Sequence, residues 1–193
     1  MSSTKSSRLD QAARRTLLKL ARASIGHGLH TGRPLDIEPS DYPEPLQEQR
    51  ATFVTLHRAG TLRGCIGHLE AVMPLVRDVA DNAFAAAFRD PRFPALEAQE
   101  LSEVHIDISI LSLPQPIVFT SEQDLIRQLQ PGSDGLILED KQARGTFLPS
   151  VWDTLPNPRD FLLHLKQKAG LPPEYWSDTL TIARYHTESF GDE

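Results

Sequence analysis

Phe53-Val54-Thr55-Leu56-His57, a break at Ala59-Gly60, and Leu62-Arg63-Gly64-Cys65-Ile66-Gly67 are the stretch on which the fold turns. The first run is of strand-forming residues, and a short glycine-containing break joins it to a second such run, so the pattern predicts a β-hairpin. Downstream, a helix is predicted from about Pro74 through Phe88, because proline is tolerated at a first helical position and Ala83 to Ala87 favour helix. Asp90-Pro91-Arg92-Phe93-Pro94 ends it, and a short second helix follows. Val104, Ile106, Ile108 and Ile110 then alternate with His105, Asp107 and Ser109, the signature of another half-buried strand, which Pro114 and Pro116 terminate.

The same order returns later at an offset of roughly 80 residues. Gly135-Leu136-Ile137-Leu138 lies on Phe53 to Leu56, Arg144-Gly145 on Arg63-Gly64, a helix near Arg159 to Lys168 on Arg77 to Ala86, and Pro173-Glu174-Tyr175 on Pro91-Arg92-Phe93. A last strand is predicted over Thr179 to Tyr185. Two copies of a strand-strand-helix-strand unit predict an α+β fold in two lobes, with a cleft where the copies meet. The expected organisation is one domain over residues 1–193: an opening helix at about 7–26, a Pro-rich connector at 31–50, a first repeat at about 51–113 and a second at about 134–187. The opening helix has Leu17, Leu20, Ala21 and Ile25 at helical spacing, Ser6 or Ser7 as cap and Gly26 as stop. Its outer face carries Lys5, Arg8, Arg14, Arg15, Lys19 and Arg22, a pattern that reads first as a solvated face and second as a dock for an acidic partner.

A net charge of −6 argues against a broad basic grip on nucleic acid, because neutralising phosphates takes many clustered cations. One cysteine, Cys65, excludes an internal disulfide framework and an all-cysteine zinc site. The absence of an apolar leader and of any run of about 20 apolar residues predicts a cytoplasmic protein without a membrane span. No phosphate-binding loop, dinucleotide fingerprint or His-Glu-x-x-His motif occurs, so no cofactor is expected.

Strict alternation puts Arg63 and Cys65 on one face of their strand, near enough for the guanidinium to favour the thiolate. Gly64 and Gly67 remove side chains on either side of the sulfur, so that a ligand or another backbone can approach. Two readings follow: a nucleophile or anion-binding strand, or a structural cysteine at a tight sheet bend. His68 invites a metal-pair or thiol-base reading, but a metal site needs three or four ligands and no other Cys-His cluster is present. His105, Asp107 and Ser109 share a face without the geometry of a hydrolase triad and read as a polar outer surface, with His105 lining a cleft. Asp90 and Arg92 either orient an anionic ligand or brace the helix end.

Leu62-Arg63-Gly64-Cys65-Ile66-Gly67, Ala85-Ala86-Ala87-Phe88-Arg89-Asp90-Pro91-Arg92-Phe93, Leu148-Pro149 and Lys168-Ala169-Gly170-Leu171 together resemble the AMMECR domain family, known in bacteria and archaea as AmmeMemoRadiSam system protein A. The likeness runs nearly the whole length of the chain. It implies an α+β fold with an internal duplication and a curved, barrel-like mixed sheet with flanking helices. It also implies a Memo-like protein and a radical S-adenosylmethionine enzyme as partners. The family signature transfers to Arg63, Gly64, Cys65, Gly67, Asp90, Arg92 and Phe93. This chain departs from it at His68, where Ser or Thr is commoner, and at Ser150, where Gln commonly follows Leu-Pro.

Three functions are therefore expected. The first is an enzyme or enzyme subunit acting on a small molecule or nucleobase, with Cys65 as nucleophile, Arg63 stabilising charge, and Gly64, Gly67, His68, Asp90, Arg92 and His105 around the substrate. The second is a non-catalytic module for the two partners. The third is an RNA-modification accessory that docks through the opening helix.

Overall fold

The hairpin forms between β1 (Thr52–Arg58) and β2 (Thr61–Gly67), joined by Ala59 and Gly60 at φ of 50° and 76°. Both turn residues lie in the left-handed region, the geometry that matches the twist of a two-residue hairpin and that glycine adopts without strain. The register is not the one a two-residue turn alone would set. It shifts between Leu56 and His57, so that Leu56 faces Gly64 while His57 faces Leu62, and Arg63 is an extra residue in a β-bulge.

The computed structural model describes residues 8–192. The chain folds as two units, one running to Leu111 and resuming at Glu188, the other Ser112–Thr187. In the first, α1 (Gln11–Thr31), the single turn α2 (Glu44–Gln47) and α3 (Leu75–Phe88) accompany a four-stranded sheet of order β2-β1-β3-β8, where β3 is Val104–Leu111 and β8 is Thr187–Gly191. Alternation decides which side is core. Val54 and Leu56 of β1 and Ile106, Ile108 and Ile110 of β3 are buried in one cluster with Leu75, Val79 and Ala83 of α3 and with Leu17 and Ala21 of α1. Each buried Val, Leu or Ile side chain among them contributes about 1.5–3 kcal/mol when fully buried.

The second unit holds β4 (Gln115–Pro116), α4 (Glu122–Gln128), β5 (Gly135–Asp140), β6 (Ala143–Phe147), α5 (Pro158–Lys168) and β7 (Thr181–Tyr185). Its sheet order is β4-β7-β5-β6. Leu136, Leu138 and Ile182 meet Phe161, Leu162 and Leu165 in its core, where the Trp152 ring stacks on Phe161 with centroids 3.7 Å apart.

Several expectations change. The curved, barrel-like mixed sheet is instead two separate four-stranded sheets whose paired strands run antiparallel, with no closed barrel. The opening helix does not stop at Gly26. It continues to Thr31 and ends at Gly32, a left-handed C-cap with φ 68°. Tertiary packing overrides glycine's weak helix propensity here: a Cβ on Gly28 would meet the Phe84 and Phe88 rings, so this glycine lets α1 lie close on α3. The cap is Asp10, whose carboxylate accepts from Ala13 N–H at 2.7 Å. Ser6, Ser7 and Lys5 lie outside the described residues. The strand β8 and the elements β4 and α4 were not anticipated.

Candidate active site on the first sheet

Cys65 stands opposite Thr55 on β1, and its own N–H points away from that strand, so the two form a pair without mutual backbone bonds, in which side chains approach closely. The Thr55 hydroxyl donates to the Cys65 sulfur at 3.2 Å. The half-buried thiol therefore lies on the sheet face opposite the helices. Because β2 is an edge strand, the Cys65 N–H is left for a partner outside the sheet, and the Asp90 carboxylate accepts it at 2.9 Å.

Asp90 is buried, and its carboxylate also accepts from Arg92 backbone N–H (3.1 Å), Nε (2.9 Å) and Nη2 (2.7 Å). Pro91 fixes the backbone between the two, so acid and base form a local clamp. The Arg92 hydrogen bonds hold the Asp90 carboxyl well below the usual carboxylate range, against the opposing effect of burial. Arg92 is raised in turn, first by its bonds to Asp90, with burial opposing them. Arg92 Nη2 lies 3.4 Å from the Cys65 carbonyl oxygen, and its guanidinium sits over the Phe93 ring. Arg92, paired with Asp90, is thus the cation that reaches the Cys65 backbone.

Arg63 is engaged elsewhere. Its Nε and Nη2 donate to the two oxygens of buried Glu100 at 2.8 and 2.9 Å, and Nη1 donates to the Pro94 carbonyl. These bonds hold Glu100 at about 2, below an ordinary glutamate, with burial opposing them. Gly64 admits the Ala86 carbonyl of α3, which a Cβ there would strike, and Gly67 admits Thr52 O and the Phe53 ring. Both glycines make room for the protein's own backbone and ring.

His68 turns to α3 and away from the sulfur. Its Nδ1 is 2.6 Å from Oδ1 of fully buried Asp78, whose Oδ2 accepts from Thr52 N–H, Thr52 Oγ1 and Asn82 Nδ2 at 2.6–3.0 Å. Burial raises Asp78, and the hydrogen bonds from Thr52 and His68 oppose it. Asp78 and Asn82 stand four apart on the core face of α3. Polar residues interrupting an apolar stripe were the available signal for this buried network.

Thr55 also faces Asp107 on β3, so Cys65, Thr55 and Asp107 form one row across three strands. His57, two residues along the same face, has Nδ1 3.0 Å from Asp107 Oδ2. That contact selects the ring tautomer and leaves Nε2 as the other nitrogen. His105, paired with His57 in register, reaches Asp192 at 2.8 Å and stands 3.6 Å from Asp107. The structure therefore gathers Cys65, Thr55, His57, Asp107, Asp90 and Arg92, and leaves Arg63, Gly64 and His68 as parts of the frame. Among the described residues no group of three or more His, Cys, Asp or Glu side chains is arranged to hold a metal ion, and no helix is long and apolar enough to cross a membrane.

The AMMECR1 family profile matches residues 18–190. This chain belongs to the AMMECR1 family. A protein of Methanothermobacter thermautotrophicus is 38% identical over 185 residues, covering 93% of this chain and 94% of its own. Protein MJ0810 of Methanocaldococcus jannaschii is 37% identical, covering 91% and 88% respectively. The crystal structure of PH0010 from Pyrococcus horikoshii superposes with a TM-score of 0.82 at 35% identity, covering 92% of this chain and 90% of that one. The span matched to the AMMECR1 family takes in Cys65, Thr55, His57, Asp107, Asp90 and Arg92.

Proposed function

We propose that this AMMECR1-family chain is an enzyme, or the catalytic subunit of one, that uses Cys65 as a thiol nucleophile on a small molecule bound over the outer face of the first sheet. The observation that carries the reading is the tie between the Cys65 backbone and the Asp90–Arg92 clamp, 2.9 Å on the amide side and 3.4 Å on the carbonyl side. The Thr55 hydroxyl donates to the sulfur while the Asp90–Arg92 clamp fixes the backbone that carries it, so the thiol is held in one place for attack. His57, oriented by Asp107, takes the thiol proton. The sulfur then forms a bond to an electrophilic carbon of the substrate, and the leaving group departs with its electron pair. Arg92 has the charge-stabilising role that alternation suggested for Arg63, while Asp90 and Glu100 act as positioning residues. His105 borders the same surface.

Alkylation tests this, since the single cysteine makes the label unambiguous. Iodoacetamide should react with the native protein at neutral pH faster than with a free thiol of similar exposure. An inert thiol in the folded protein overturns the nucleophile.

A second reading, a non-catalytic module for a Memo-like protein and a radical S-adenosylmethionine enzyme, draws on exposed Leu113 and Val118 flanking the short strand β4. Exposed apolar side chains beside a sheet edge suit a protein partner. Co-purification that is lost in Leu113→Ser/Val118→Ser supports it, and no complex at micromolar concentration counts against it. The proposed setting is the cytoplasm. We also propose that the two units are copies of one hairpin-helix-strand ancestor. Supporting this, each places its hairpin strands at one edge of the sheet and its post-helix strand next to the first hairpin strand.

A further inference from the structure

An open groove of about 380 Å³ lies in the first unit between α1 and the end of β8. Arg14, Arg15, Leu18 and Lys19 line it from the helix, at the spacing of one helical face, and Phe190 and Asp192 line it from the strand. The folded structure divides these charges sharply. Arg14 donates to Glu188 at 2.8 Å and its guanidinium sits over the Phe190 ring at 5.6 Å. Asp192 is taken by Arg22, by His105 and by the Ile106 N–H. Arg15 and Lys19 are exposed and have no ion-pair partner among the described residues.

They are also four residues apart on α1, where like charges face each other and destabilise a helix by roughly 0.2–0.5 kcal/mol. Nothing in the packing of α1 requires that arrangement. In a chain of net charge −6, two spare cations beside an aromatic ring and a leucine in one groove are a local exception. A ligand carrying one phosphate or pyrophosphate would neutralise the pair, and a flat ring on it would lie against Leu18 and the edge of Phe190, whose face Arg14 covers. The volume suits a molecule of mononucleotide size. Glu188 and Asp192 set carboxylates at the strand side, which disfavours a long polyanion running past the two cations.

We infer that this groove is a binding site for a small phosphate-bearing molecule with a flat ring, of the class of nucleoside monophosphates, held by Arg15 and Lys19 against Phe190. The site is separate from the Cys65 face and does not depend on the thiol reading.

The test is titration of the full chain with AMP, UMP and inorganic phosphate, followed by calorimetry and by amide chemical shifts, at about 50 and about 200 mM salt. Saturable binding of a nucleotide is expected, tighter than that of inorganic phosphate and weaker at the higher salt. Arg15→Gln/Lys19→Gln should weaken it about tenfold or more, as loss of charge-assisted hydrogen bonds does. The thermal midpoint of that variant should be unchanged or higher, because the like-charge pair is gone, so lost binding is separable from lost folding. No saturable binding at millimolar ligand overturns the inference, as does equal affinity in the double variant. A short RNA oligomer binding far more tightly than its mononucleotide also overturns it, in favour of a strand-binding face.

Discussion

The two hairpins of this chain share a framework and differ in what stands on it. In the first unit Thr55 lies between Cys65 and Asp107; in the second, the residue at the matching place in the sheet is Ile137, between Thr146 and Ala183. Leu56 faces Gly64 and Leu138 faces Gly145, and each glycine meets backbone at the helix that follows it, Ala86 in α3 and Leu165 in α5 with its C-cap Ala169. The inner faces thus answer the same demand, close approach of a helix to a strand. Along these rows the outer faces diverge: a thiol, a hydroxyl and a carboxylate in the first, two aliphatic groups and a satisfied hydroxyl in the second; two residues along, the place of His57 is taken by Glu139, which pairs with Arg144 at 2.9 Å. Thr146 Oγ1 donates to the Leu136 carbonyl at 2.9 Å, so its hydrogen is used in holding its own sheet together. A row of thiol, hydroxyl and carboxylate on one of two similar frameworks is chemistry that the framework itself does not require.

The glycines break the comparison most severely. A Cβ on Gly64 would run into the Ala86 carbonyl oxygen, which is backbone and cannot swing aside. A Cβ on Gly145 would sit 3.0 Å from the Ala169 Cβ and N and 3.1 Å from the Leu165 oxygen, so a small shift of the helix end suffices. Gly64→Ala should therefore cost about 3 kcal/mol and Gly145→Ala about 1 kcal/mol, from the range for overpacked cores, read as displaced denaturation midpoints. Equal losses would show that the two crossings are equally tight.

The paired threonines give a smaller and more specific contrast. Thr146→Val removes a donor from a carbonyl and should cost about 1 kcal/mol. Thr55→Val removes only a donor to sulfur, so its midpoint should move by less than about 0.5 kcal/mol, while Cys65 alkylation slows. A stability loss in Thr55→Val as large as that in Thr146→Val would make its hydroxyl structural and weaken the thiol site.

Acid sensitivity gives the smallest effect. Glu100 is held at about 2 by Arg63 in the folded protein, against an ordinary value of 4.5. A depressed folded value contributes stability that is present above the unfolded value and is lost as pH falls from about 4.5 towards about 2. Glu100→Gln should flatten that part of the pH–stability curve. In the second unit Asp140 is lowered first by the hydroxyls of Thr179, Ser177 and Tyr175, with no arginine in the set, and Asp140→Asn should act in the same direction. An unchanged acid limb in Glu100→Gln would remove the Arg63–Glu100 pair from the account.

Alternation and turn chemistry made much of this legible. The hairpin, α3, the Asp90–Pro91–Arg92 break, β3 and, in the second unit, β5, β6, α5 and β7 lie close to where periodicity puts them, because burial of one face enforces period 2 in strands and 3.6 in helices. The bulge was not legible. Without it, a two-residue turn would pair Thr55 with Gly64, and Cys65 would not share the row of Thr55 and Asp107; the extra residue is Arg63, which is why strict alternation set it beside the sulfur. Arg63 is claimed by Glu100, 37 residues on, and no local pattern announces a long-range bidentate pair. His57 and Asp107 were visible as polar strand residues, but their 3.0 Å contact depends on the order β2-β1-β3, which is tertiary.

The most direct test of the Cys65 face is the rate of Cys65 alkylation at neutral pH in four proteins: the native chain, Asp90→Asn/Arg92→Gln, His57→Gln and Arg63→Gln/Glu100→Gln, the double variants keeping each ion pair balanced. Expected are a native rate above that of a free thiol, a drop of about tenfold in Asp90→Asn/Arg92→Gln where the clamp is lost, a smaller drop in His57→Gln, and little change in Arg63→Gln/Glu100→Gln. A native thiol that is unreactive, or a rate that follows Arg63 and ignores Arg92, would contradict the thiol reading.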